Sequence, residues 1–121
     1  MAETIGWIGL GSIGHRMVRH LADAGHPLLV ADIANAANAP PGARIAASNG
    51  EVAAGADIVI LSLPNGRITE TVAREIVTAK GRRARTVIET STIGIAAAET
   101  AARILREADI ELIDAPVSGG I

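Results

Sequence analysis

The 121-residue chain contains no cysteine, no phenylalanine and no tyrosine, and Trp7 is its single aromatic residue. Without cysteine neither a disulfide framework nor a thiolate metal site can form, and a reducing compartment, the cytoplasm, is the natural expectation. Without Phe and Tyr the core must be aliphatic and alanine-rich, which suits closely packed helices and strands. Long apolar runs are missing as well. A run such as Ile58-Val59-Ile60-Leu61 is far shorter than the roughly 20 residues that span a bilayer, so a soluble protein with no membrane partner is expected. Met1-Ala2-Glu3-Thr4 opens with an acid, and the apolar stretch after it is broken by glycines, so no signal peptide is read there.

Charge points to no polyanionic partner. The formal net charge is −2, and the one basic run, Lys80-Gly81-Arg82-Arg83-Ala84-Arg85, has no interleaved aromatics. It reads as a solvated turn between two elements, and nucleic acid is not expected as a partner. His15, His20 and His26 fall in or just after one helix at spacings that pair no metal ligands, so no metal is expected.

Apolar, β-branched runs alternate with helical stretches from start to end, the rhythm of a parallel sheet covered on both faces. Six strands are predicted, at residues 4–9, 28–32, 44–46, 57–63, 86–90 and 111–114. Between the first two, Ile13, Met17, Val18, Leu21 and Ala24 recur at helical spacing, and Gly25 stands where a left-handed C-cap ends a helix. A second helix is predicted over 68–79, with Ile68, Val72, Ile76 and Ala79 on one stripe, and a third over 92–108. Pro40-Pro41-Gly42 marks a loop, and no linker divides the chain, so residues 1–121 form one α/β domain. Two βαβαβ halves give the doubly wound Rossmann order 3-2-1-4-5-6. Right-handed crossovers then bring the carboxyl ends of the first and fourth strands to the crevice where the order reverses. Those ends carry Gly9-Leu10-Gly11 and Leu63-Pro64-Asn65.

Gly9-Leu10-Gly11-Ser12-Ile13-Gly14 matches G-x-G-x-x-G, and each glycine has its own mechanical task. Gly9 allows the tight turn out of the strand, Gly11 lets a pyrophosphate approach the backbone, and Gly14 lets the helix pack on the sheet. The helix N-terminus offers unpaired N–H groups and partial positive charge to phosphates. The motif follows a strand, opens an amphipathic helix, and is answered about 20 residues on by Asp32 at the end of the next strand. A carboxylate there accepts the ribose hydroxyls of NAD and repels the 2′-phosphate of NADP, so NAD is the expected cofactor and NADP the lesser one. The competing role for Asp32 is to cap the following turn. Methyltransferases that use S-adenosylmethionine also place a glycine turn and an acid in these positions, but their loop has no pyrophosphate to cradle.

Three further segments, Ser62-Leu63-Pro64-Asn65, Glu89-Thr90-Ser91-Thr92-Ile93 and Asp114-Ala115-Pro116-Val117-Ser118-Gly119-Gly120, lie at predicted carboxyl ends of strands. Together with the glycine motif they resemble the β-hydroxyacid dehydrogenase family, over essentially the whole chain. The last segment is the most specific, and it looks more like the 3-hydroxyisobutyrate and tartronate semialdehyde branch than the 6-phosphogluconate branch. Ile13, where the family often has methionine, is a conservative departure. The resemblance implies that Leu63, Pro64 and Asn65 line the cofactor and that Thr92 sits beside the nicotinamide ribose. It implies that Ser118, with the Gly119 and Gly120 N–H groups, holds the carboxylate of a small 3-hydroxy acid or its aldehyde. Small residues in a turn do expose N–H donors to an anion.

The same resemblance implies a helical domain, carrying a lysine general acid–base, that these 121 residues do not include. Lys80, the single lysine, belongs to the basic turn. The expectation is therefore the cofactor domain of an NAD-dependent 3-hydroxyacid oxidoreductase, catalytically incomplete as it stands, with apolar surface near residues 117–121 favouring self-association. The alternative is a non-catalytic NAD-binding module acting through partners.

Overall fold

The computed structural model describes residues 3–115. Six strands, β1 (Ile5–Ile8), β2 (Leu28–Ala31), β3 (Arg44–Ile45), β4 (Ile58–Leu61), β5 (Thr86–Glu89) and β6 (Glu111–Asp114), form one sheet in the order β3-β2-β1-β4-β5-β6. Every neighbouring pair is parallel. The helices are α1 (Gly14–Asp23), α2 (Asn49–Gly55), α3 (Gly66–Val77) and α4 (Ile95–Arg106), with a 3₁₀ turn at Ala36–Asn38. This is the doubly wound Rossmann arrangement, and its reversal point lies between β1 and β4.

Strand alternation sorts the apolar side chains into two cores. Trp7, Leu28 and Val30 pack with Leu10 and with Val18 of α1 on one face. Ile8, Leu29, Val59, Leu61 and Val87 pack with Val52 of α2, Val72 and Ile76 of α3 and Leu105 of α4 on the other. Trp7 is buried, and its indole N–H donates to the Gly9 carbonyl at 2.7 Å. The one large aromatic thus finds its polar partner at the mouth of the glycine turn. On the α1 side, Ile88 and Ile113 lie in register, and Ile113 at the sheet edge is 44% exposed.

The strands stop one or two residues short of most predicted ends, so Gly9, Asp32, Ser62, Leu63 and Thr90 all sit just past the sheet. Past β1, α1 ends with Gly25 at φ +88, where the amide of His26 bonds back to the Leu21 carbonyl. Three expectations need correction. Helix α4 starts at Ile95 rather than residue 92, because Gly94 at φ +85 interrupts helical backbone. Ile68 is not a core residue. The buried stripe of α3 is Thr69, Val72, Ala73 and Ile76, and Ile68 lies beside it, 38% exposed. Arg82 is not merely solvated. Its guanidinium donates to the carbonyls of Ala84 at 2.7 Å and Ala108 at 3.0 Å, tying two loops.

Helix α2 was not anticipated. It is short, and its buried residues are only Val52 and Ala53. Its start nevertheless carries a capping-box pattern, Ser48 followed three residues later by Glu51. The Ser48 hydroxyl accepts from the Glu51 amide at 3.1 Å, and the Glu51 carboxylate accepts from the Ala47 amide at 3.2 Å.

Close packing of α2 on β1 requires glycine at position 6, where a Cβ would stand 2.6 Å from Cγ1 of Val52. Gly6→Ala should cost about 1–3 kcal/mol in urea unfolding. Adding Val52→Ala should restore part of that loss, so that the double variant is more stable than the sum of the single effects. Strict additivity would show that the two residues do not share this contact.

Candidate functional site

Loops leaving β1, β2, β4 and β5 meet α3 around an open cleft of about 770 Å³, within the range of a small-molecule site. Gly9, Gly11, Ser12, Ile13 and Gly14 form its floor, Asp32 to Asn35 one side, and Ser62, Leu63 and Pro64 with Arg67, Ile68 and Thr71 of α3 the other. Thr90, Ser91 and Thr92 close the end beyond β5.

The glycine loop is held before any ligand arrives. The Leu10 amide donates to Asp32 Oδ2 at 2.6 Å, and the Leu10 carbonyl accepts from the Asn38 side chain at 2.9 Å. Nδ1 of His15 pairs with the Gly11 carbonyl at 2.7 Å. Space then dictates sequence. A Cβ on Gly9, which has φ +110, would collide with the Ser62 carbonyl oxygen, and one on Gly14 with that of Gly9. A Cβ on Gly11 would meet nothing within 4 Å. Glycine at 11 is therefore not demanded by the protein's own packing, and the space before it faces the cleft.

Helix α1 begins at this loop with no capping side chain and no acid in its first turn. By contrast Ser48 caps α2, and Asn65 caps α3 by accepting from the Ile68 amide at 3.0 Å. The uncapped N–H groups and dipole of α1 favour an anion at the cleft floor.

Asp32 serves two neighbours at once. Oδ1 accepts from the amides of Ala34 and Asn35, each at 2.9 Å, while Oδ2 takes the Leu10 amide. Burial is the largest single influence on this carboxyl and opposes ionisation. The hydrogen bonds from Leu10, Ala34 and Asn35 together outweigh it and hold the pKa below the usual value. The carboxylate is thus charged at neutral pH. The Asn35 side-chain amide also stands 3.4 Å from both oxygens, so of about four lone-pair positions three are held by backbone amides and one, on Oδ2, is shared only with that long contact, which a hydroxyl donor can displace.

The structure therefore brings Gly9, Gly11, Ser12, Ile13, Gly14, Asp32, Leu63, Pro64 and Thr92 to one cleft. Two residues of the expected set are used otherwise. Leu10 has its side chain fully buried beneath α1 and contributes its peptide to the loop. Asn65 spends its side-chain oxygen on the α3 cap and is not among the residues lining the cleft. Ser118, Gly119 and Gly120, with the apolar surface expected near residues 117–121, lie outside the described residues. Lys80 is exposed in its turn. Among the described residues no group of three His, Asp or Glu side chains could hold a metal ion, and no helix is long and apolar enough to cross a membrane.

The contribution of α3 is not legible from the sequence: helical periodicity assigns Ile68 to the core stripe and gives Arg67 and Thr71 no role, whereas all three line the cleft. Glu89 and Ser91 are likewise left without a role. A carboxylate inside an otherwise apolar strand, Val87-Ile88-Glu89, was the available signal.

Residues 4–121 match the family model described as the NAD binding domain of 6-phosphogluconate dehydrogenase. The mitochondrial 3-hydroxyisobutyrate dehydrogenase of Drosophila melanogaster is 38% identical over 124 residues, covering 99% of this chain and 38% of that protein. The 2-(hydroxymethyl)glutarate dehydrogenase of Eubacterium barkeri is 34% identical, over 96% of this chain and 40% of its own length. Among solved structures, Mycobacterium tuberculosis 3-hydroxyisobutyrate dehydrogenase with L-serine superposes with a TM-score of 0.85 at 32% identity, covering 99% of this chain and 42% of that one. The chain thus spans about two-fifths of the length of these relatives.

The glycine geometry separates packing from ligand approach. Gly14→Ala should lower stability by about 1–3 kcal/mol, since backbone must move. Gly11→Ala should leave urea stability within about 0.5 kcal/mol of wild type. It should nevertheless weaken NADH binding about tenfold or more, because its methyl group occupies the approach to the loop. Calorimetric titration of Gly11→Ala checks this, and unchanged affinity would put the phosphates elsewhere.

Proposed function

The chain belongs to the β-hydroxyacid dehydrogenase family, as the domain that binds the nicotinamide dinucleotide, and from that premise we propose that it holds NAD in preference to NADP for oxidation of a small 3-hydroxy acid. Asp32 carries the cofactor preference. Its carboxylate is held ionised by backbone donors at the cleft edge, where it can accept a ribose hydroxyl and would repel a 2′-phosphate. Arg67, the one cation among the described residues lining the cleft, stands across from it on α3.

The substrate class rests on the relatives' names. 3-Hydroxyisobutyrate and 2-(hydroxymethyl)glutarate each carry a hydroxyl on the carbon β to a carboxylate. Oxidation removes hydride from that carbon and a proton from its oxygen, leaving an aldehyde. The nicotinamide supplies the hydride acceptor when bound. This chain's residues would hold and orient: the glycine loop and the α1 N-terminus against the pyrophosphate, Asp32 on the adenosine ribose, Leu63 and Pro64 along the cofactor with Asn65 fixing the start of α3 behind them, and Thr92 beside the nicotinamide ribose. Ser118 with the Gly119 and Gly120 amides would take the substrate carboxylate. The proton from the hydroxyl needs a base within hydrogen-bond reach. Among the described residues, the titratable side chains lining the cleft are Asp32, Glu75 and Arg67. Asp32 is committed to backbone donors, and Glu75 accepts from Asn49 at 3.0 Å. We assign proton transfer to a group outside residues 3–115.

Two outcomes follow. Calorimetry should give NADH a dissociation constant at least about tenfold below that of NADPH, and Asp32→Ala should narrow the gap. Equal or tighter NADPH binding would sink the assignment of Asp32. In addition, the 121-residue polypeptide should bind NADH without reducing NAD in the presence of 3-hydroxyisobutyrate or glycerate. Loss of a general acid–base typically lowers rates by about 10²–10⁴. Brisk NADH formation would mean that the base lies within these residues.

A further inference from the structure

Glu89 is the only charged residue type found fully buried among the described residues, and nothing in the cofactor reading uses it. It ends β5 on the face that carries α3, and its side chain begins a chain of contacts leading to the cleft. Oε1 accepts from the Ser91 amide at 2.7 Å. The Ser91 hydroxyl oxygen in turn accepts from the Leu63 amide at 2.6 Å. Leu63 opens the wall formed by the loop after β4, and both Leu63 and Ser91 line the cleft. Thr90 adds a parallel tie, donating from its amide at 3.0 Å and its hydroxyl at 2.6 Å to the Leu61 carbonyl.

We propose that Glu89 is a positioning residue for the cofactor cleft, fixing the Leu63-Pro64 wall through Ser91 without touching the ligand. The inference rests on the reading of this cleft as the dinucleotide site. An apolar side chain of similar volume would fill the space beneath the loop equally well, and ionised groups are costly to bury unless they are paired. The carboxyl instead orients the Ser91 peptide, which aims the Ser91 oxygen at the Leu63 amide. Its second oxygen, Oε2, and the hydroxyl of Thr69 on α3 are both buried without a hydrogen-bond partner. Burial, the dominant influence, raises the pKa of Glu89 against the hydrogen bonds from Ser91, and Asp114 on β6 adds to the rise. A protonated carboxyl has a hydrogen to offer Thr69, and Gln has the same shape and the same acceptor for the Ser91 amide.

The test uses the purified protein with NADH as probe and compares Glu89→Gln, Glu89→Leu and Ser91→Ala. Glu89→Gln should bind NADH within about threefold of wild type. Glu89→Leu preserves apolar volume, and Ser91→Ala removes one oxygen. Each should weaken NADH binding about tenfold, because the Leu63 amide loses its oriented acceptor. Amide exchange at Leu63 in the ligand-free protein should accelerate in the same two variants and not in Glu89→Gln. Ile110, buried just before β6 and not among the residues lining the cleft, supplies a core control: Ile110→Val should leave NADH affinity unchanged. Wild-type affinity in Ser91→Ala, unchanged Leu63 exchange, or an equal loss of affinity in Ile110→Val overturns the proposal. Should Glu89→Leu fail to fold, Ser91→Ala decides. Failure of the wild-type protein to bind NADH would refute the cofactor reading instead, while Leu63 exchange would still report on the clamp.

Discussion

The structure depends on how closely three pieces of backbone approach one another at the end of the sheet. The turn after β1 lies against the Ser62 peptide on one side and the first residue of α1 on the other, with no room for a methyl group at Gly9 or Gly14. That approach brings the amino end of α1 over the carboxyl ends of β1 and β4, the place where strand order reverses. Loosening it by one side chain would lift α1 off the sheet and open the cleft floor together. Stability and ligand binding are therefore coupled at Gly9 and Gly14. They separate at Gly11, which faces open space.

Asp32 resolves what first looked like competing roles. It caps the turn after β2 through the Ala34 and Asn35 amides, and the same carboxylate grips the glycine loop through Leu10. Turn-capping and loop-holding both require the charged form, and their donors keep the group ionised despite partial burial. A residue that is charged, fixed and at the cleft edge is already organised to receive a hydroxyl donor, so little reorganisation remains when a ligand binds.

How far the amino-acid sequence could be read followed the range of the interaction involved. Six strands, their order and the glycine loop were legible because alternation, helical spacing and glycine placement are local signals with one strong interpretation each. Helix α2 was obscured because its few buried side chains, Val52 and Ala53, make a weak stripe, although Ser48 and Glu51 announced its start. The position of Ile68 was misread because periodicity locates a stripe only to within one residue of rotation, and α3 turns that residue toward the cleft. Asn65 was legible as a loop residue at the site, but its use as a cap depends on where α3 begins. The link from Glu89 through Ser91 to Leu63 joins residues 28 apart at its last step. No local pattern encodes such a pairing.

These observations divide the domain into two kinds of constraint. The aliphatic cores on either face of the sheet are filled by Val, Ile, Leu and Ala, and such cores accept exchange of one apolar side chain for another if volume is kept. The cleft is built differently. Its floor is backbone, its geometry is set by amides donating to Asp32, Ser91 and Glu89, and its tolerances are those of hydrogen bonds rather than of packing volume. A buried amide that loses its acceptor pays the full desolvation penalty, whereas a core methyl exchanged for another loses little. Sequence drift should therefore be wide in the cores and narrow at a handful of polar side chains behind the cleft. Glu89 belongs to that handful, since a carboxyl inside an apolar layer is kept there only by what it orients.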